Sequence, residues 1–153
     1  LACETIPASL LSLCSNPYQM TRFILTTVAV IAAFTLNAQQ VMNIESFQPE
    51  LNYENIHVYQ IDNDPLTSTF LIWVKDNVPP HFHKEHTEVV YVIQGNGTLV
   101  LGDQTKFIKE GDYIFIPKGT PHSVKVSGDK PMKVLSVQTP EFDGSDRHSA
   151  SPE

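Results

Sequence analysis

The chain has 153 residues, 41% of them hydrophobic, and ten Lys and Arg face 17 Asp and Glu for a formal charge of -7. Such an acidic balance favours solubility and argues against nucleic acid, and no basic stripe or basic amphipathic helix offers itself to a membrane surface. The length suits one domain of ordinary size with a single core.

Residues 1–19 carry no periodic pattern, no charge cluster and no motif, and are read as a segment upstream of a start at Met20. Met20 opens a Met-Thr-Arg sequence, followed by fourteen mostly apolar residues from Phe23 to Leu36 and then Asn37-Ala38. Arg22 supplies a positive n-region, and the apolar run falls short of the about 20 residues that a spanning helix needs. Residues 20–38 are therefore expected to be a secretory signal peptide cleaved after Ala38. The mature chain would then be periplasmic or secreted, with no membrane contact after signal removal. An uncleaved anchor and a lipidated Cys14 are the rival readings. Cys3 and Cys14 both fall in the removed portion, so the exported chain would hold no disulfide and no thiolate nucleophile.

Residues 39–65 read as a polar arm and a first strand, the arm adding an edge strand or touching a partner subunit. From Ile56 onward, short runs rich in Val, Ile, Phe, Tyr and Thr alternate with turn residues, as in an all-β sandwich or barrel. Strands are expected at 56–61, 69–75, 81–83, 87–94, 97–102, 105–108, 113–116, 121–127 and 132–138. Asn96-Gly97 and Gly102-Asp103 read as tight hairpin turns. Pro79-Pro80 and Pro117 read as strand entrances, where a missing backbone donor is tolerated. Residues 66–139 would form the barrel, and the polar tail at 140–153 is expected to be disordered.

Two blocks carry chemistry. His81 and His83 are two apart, so on a strand both imidazoles share one face, about 6.6 Å apart along the chain. Glu88 follows after four residues and Gly95 closes that strand; the second block runs Gly111-Asp-Tyr-Ile-Phe-Ile-Pro117-Lys-Gly119-Thr-Pro-His122. Gly111 and Gly119 permit turns that other residues resist, and Pro117 sets the entry to the turn that delivers His122. His86 and His148 read as solvated, and Glu110 and Asp112 as turn residues. Trp73, Tyr91, Tyr113 and Phe115 read as core or subunit-contact residues. If Glu88 points inward, Val90 and Val92 share its face while Val89, Tyr91 and Ile93 line an apolar outer face. That outer face asks for a second sheet or a homodimer partner.

Together the blocks read H-x-H-x4-E-x6-G and G-x5-P-x-G-x2-H, and on these residues the chain resembles the cupin superfamily in its small single-domain form, over roughly residues 66 to 138. Lys75 stands where the first motif usually has Gly, and Val126 where the second usually ends in Asn; neither departure removes a ligand. The resemblance implies a double-stranded β-helix (jelly-roll) barrel with His81, His83, Glu88 and His122 turned inward onto one divalent metal ion. Three imidazoles and a carboxylate suit Fe, Mn, Ni, Cu or Zn and leave coordination positions open. The expected function is a metal-dependent dioxygenase or oxidase acting on a small polar organic substrate, with Glu88 a ligand or the catalytic base. Isomerase or lyase chemistry, and a non-catalytic module binding a metal or a carbohydrate fragment, stay open as alternatives.

Overall fold

A computed structural model describes residues 41–49 and 52–150 of the chain; the expected upstream segment at 1–19 and signal at 20–38 lie outside them. The compact unit Asn43–Glu153 carries all the regular structure described. It is all-β, as expected. The strands are β1 (Ile56–Asp64), β2 (Thr67–Val74), β3 (Asn77–Phe82), β4 (Thr87–Gln94), β5 (Asn96–Leu101), β6 (Gln104–Lys109), β7 (Tyr113–Ile116), β8 (His122–Ser127), β9 (Met132–Thr139) and β10 (His148–Ser149).

Two five-stranded antiparallel sheets form, ordered β1-β2-β9-β4-β7 and β10-β3-β8-β5-β6. The chain passes repeatedly from one sheet to the other. Between them lies a core that includes Val74, Val92, Leu99, Ile108, Ile116 and Met132. Burying each such side chain is worth about 1.5–3 kcal/mol. Alternation along β4 puts Glu88 and Val92 inside and leaves Tyr91 exposed, as the parity of that strand predicts.

Four expectations differ from the structure. Asn96-Gly97 is not a hairpin turn: both residues lie in β5, and the chain changes sheets one residue earlier, at Gly95. Gly97 answers to a different constraint, because a Cβ there would stand 2.5 Å from the Lys125 carbonyl oxygen on the neighbouring strand β8. Pro79-Pro80 sits inside β3, at the register shift between Val78 and His81, where a bulge tolerates the missing donors.

The third correction concerns the tail. Residues 140–150, expected to be disordered, form an ordered strap, and only 151–153 lie outside the described residues. Composition misleads here because the strap's polar groups are satisfied by the barrel and not by water. The Phe142 amide donates to Ser68 Oγ at 2.8 Å, and its ring packs edge-on against Phe70. Strand β10 pairs His148 with Phe82 and Ser149 with His81.

The arm also differs from an edge strand. Residues 43–49 make a turn that docks on the outer face of the first sheet. Phe47 packs on Tyr59 and Trp73, while Lys133, only 1% exposed, donates to the carbonyls of Ile44, Glu45 and Phe47. A buried ammonium needs such partners, and three carbonyls match its three donors. Trp73 is thereby core, whereas Tyr91, Tyr113 and Phe115 stand exposed on the part of that face the arm does not reach.

Replacing Gly97 by Ala should force β5 and β8 apart and lower the unfolding free energy by about 1–3 kcal/mol. Urea denaturation followed by tryptophan fluorescence measures this, and an unchanged midpoint would contradict the close approach.

Candidate metal centre

Strand β3 delivers His81 and, one residue past its end, His83; the antiparallel strand β8 delivers His122 directly opposite His81. Ring centroids are 4.1 Å apart for His81 and His122, 5.2 Å for His81 and His83, and 5.4 Å for His83 and His122. All three residues are buried, and one nitrogen from each lies within 4.8 Å of the others. Gly119, at φ +78°, lets the second block turn back so that its amide donates to the His83 carbonyl at 2.5 Å. The two motif blocks are therefore bonded to each other through the backbone.

Each imidazole is oriented by a carbonyl behind it. His81 Nδ1 contacts Pro79 O at 2.9 Å, His122 Nδ1 contacts Thr120 O at 3.0 Å, and His83 Nδ1 contacts Asp146 O at 2.5 Å. A carbonyl only accepts, so each Nδ1 carries the proton and donates it. In the neutral rings every Nε2 then presents a lone pair, as in metal-binding histidines held by outer partners. The Nε2 atoms of His83 and His122 are buried without a hydrogen-bond partner. Orphaned acceptors aimed at one point fit a divalent cation better than any protein group at hand.

Glu88, on β4 in the facing sheet, borders this trio. Its Oε2 lies 3.4 Å from His122 Nε2 and 3.5 Å from His83 Nε2, charge contacts and not aligned hydrogen bonds. Ser136 Oγ donates to the other oxygen, Oε1, at 2.5 Å. Burial disfavours the anion, yet His122, His83 and Ser136 outweigh it and hold the carboxyl well below the usual carboxylate range. Burial also depresses His83, but the Glu88 carboxylate and the Asp146 carbonyl reverse this and raise it on balance. His81, desolvated and next to His122 and Arg147, is lowered to about 4, so it is neutral at physiological pH.

The structure thus brings His81, His83 and His122 together as a metal-capable set with Glu88 at its edge. The spacing did not reveal the strap's part. Asp146, buried, accepts from the amides of Lys84, Glu85 and His86, from His86 Nδ1 and from His148 Nε2. His86 is consequently buried and fully bonded, its Nε2 on the Glu141 carbonyl at 2.8 Å, and is not the solvated loop residue expected. His148 is likewise tied to Asp146. The only sequence signal was an isolated acid-base pair, Asp146-Arg147, in a polar tail.

Beside the histidines lies a cavity of about 360 Å³ with mostly apolar walls that include Ile72, Val74, Val90, Leu99 and Val124. Its size is at the small end of ligand sites, which run to about 1,000 Å³.

The family model described as a cupin domain matches residues 69–138. An uncharacterized protein of Aquifex aeolicus (strain VF5) is 34% identical over 110 residues, 71% of this chain and 90% of that protein. Quercetin 2,3-dioxygenase of Bacillus subtilis (strain 168) is 39% identical over 51 residues, 33% of this chain and 15% of the dioxygenase. Among solved structures, a conserved protein with a double-stranded β-helix domain from Klebsiella pneumoniae subsp. pneumoniae MGH 78578 superposes with a TM-score of 0.63 at 17% identity. That match covers 74% of this chain and 99% of the other, and it identifies the fold as the double-stranded β-helix expected.

Exchanging Asp146 for Asn removes the anion that five donors share. At pH 7 this should lower the unfolding free energy by about 2 kcal/mol, the scale of a hydrogen bond to a charged group. Burial opposes the Asp146 anion, but the bonds from His86, Glu85 and Lys84 hold it well below its ordinary value of 3.8. A depressed carboxylate stabilises the fold fully above its unfolded pKa and loses that contribution as pH falls through the folded one. The gap between wild type and variant should therefore shrink below about pH 4 in urea titrations; a gap constant down to pH 3 would contradict this account.

Proposed function

The chain belongs to the cupin superfamily, and from that premise we propose that it is an exported, metal-dependent enzyme. In this reading it holds one divalent transition-metal ion on His81, His83 and His122 and acts on a small organic substrate by dioxygenase or oxidase chemistry. The observation that carries the reading is the convergence of three buried histidines whose Nδ1 atoms are held by carbonyls, so that in the neutral rings each Nε2 is free to act as a ligand, two of them without a hydrogen-bond partner. When bound, the ion polarises an oxygen ligand and, if redox-active, opens a route to dioxygen.

The chain's own residues supply the rest. Glu88 Oε2 is the oxygen left free by Ser136, so it serves either as a fourth ligand or as the base for a proton released beside the histidines. The mostly apolar walls keep the surroundings of that proton transfer low in polarity. The stretch shared with the Bacillus dioxygenase supports oxygen chemistry. Residues 20–38 support export to the periplasm or beyond. The aromatic strip of Tyr91, Tyr113 and Phe115 supports a homodimer.

Protein loaded with Fe(II), Mn(II) or Zn(II) should contain about one ion per chain by elemental analysis. At a hundredfold excess over the dissociation constant the ion should stabilise the fold by about 2.7 kcal/mol. His83→Ala and His122→Ala should each abolish that gain. Uptake below about 0.1 ion per chain with no thermal shift rejects the centre. Oxygen consumption with a diol, oxalate or thiol panel tests the reaction. Metal uptake and ligand binding without turnover would favour a non-catalytic binding module.

A further inference from the structure

Arg147 and Gln138 line the cavity, and the metal centre uses neither. Arg147 is an exposed residue, but its Nη1 reaches into the site and donates to His81 Nε2 at 2.7 Å. Among the described residues no carboxylate lies within ion-pair distance of its guanidinium. The backbone that carries it is fixed on both sides, by the Asp146 hydrogen bonds and by the pairing of His148 with Phe82. Gln138 stands opposite Glu88 on the adjacent strand, only 5% exposed, with its Oε1 buried and unpartnered.

His81 Nε2 has a single lone pair. It can accept from Arg147 or act as a ligand, not both. Whenever His81 ligates, the guanidinium lines an apolar cavity without a protein acceptor among the described residues, and a planar fork of donors is best met by a carboxylate. We propose that Arg147 is an anion-recognition residue, so that the cavity takes a small monocarboxylate with an apolar body. The proposal rests on reading the histidines as a metal centre.

Three features select that ligand class. The apolar walls, Ile72, Val74, Val90, Leu99 and Val124 among them, call for an aliphatic or aromatic body, and the volume of about 360 Å³ keeps it small. Arg147 is the one Lys or Arg among the residues lining the cavity, and its planar fork matches a single carboxylate head group, whereas phosphate has no apolar body to fill the walls.

Isothermal titration calorimetry on the full chain, loaded with redox-silent Zn(II) and also metal-free, tests this with isovalerate, its neutral amide isovaleramide, and inorganic phosphate. Zinc-loaded wild type should bind isovalerate about tenfold or more tightly than isovaleramide, and phosphate weakly. Arg147→Gln should erase most of that preference and Arg147→Lys keep part of it, both with zinc content unchanged. Equal binding of acid and amide, tightest binding of phosphate, an undiminished preference in Arg147→Gln, or loss of zinc from that variant each overturns the proposal. If wild type takes up no zinc, the metal reading fails by itself. The anion site is then judged on the metal-free chain by the same comparison between acid and amide.

Discussion

Three imidazoles and a carboxylate sit inside an apolar barrel, and burying so many polar groups is costly unless each is bonded. The remaining structure can be understood as meeting that cost. Each Nδ1 is committed to a carbonyl, one oxygen of Glu88 is committed to Ser136, and what is left over converges on one place. The leftover atoms are therefore the functional ones. Commitment of one ring nitrogen determines the chemistry of the other.

The strap extends that logic outward. A segment of polar residues would ordinarily stay in water, but Asp146 gathers the amides of residues 84–86 and two histidine rings, while its own carbonyl orients His83. One residue thus holds the loop between two metal-capable histidines and the glutamate, closes one edge of the second sheet through β10, and aims Arg147 at His81. Site and stability are coupled here, because the groups that order the strap are the groups that order the ligands. At the far side Lys133 plays a comparable part for the arm, though it touches no site residue.

The legible part of the fold was its periodicity. Strands from Ile56 to Thr139 follow the runs of β-branched and aromatic residues, and the parity of β4 correctly separated Glu88 and Val92 from Tyr91. Errors fell where one residue type serves two purposes. Gly97 looked like a turn residue but is small because β8 passes close by, and Pro79-Pro80 looked like a strand entrance but occupies a bulge. His86 and Asp146, 60 residues apart, are bonded at 2.5 Å, a pairing that no local pattern encodes.

The sequence by itself determined the all-β class through alternation along strands, and it pointed to the inward-facing histidines through the family resemblance carried by two glycine-containing blocks, because both signals are local properties of the chain. Only the tertiary structure decided how those side chains are used. It showed that, among the described residues, one nitrogen from each of the three histidines meets the others within 4.8 Å while Glu88 stands beside two of them, that the polar tail is an ordered strap, and that Arg147 reaches His81. The physical reason is that ligand geometry and ring tautomer depend on hydrogen bonds between residues distant in the chain, and those exist only once both sheets and the strap are in place.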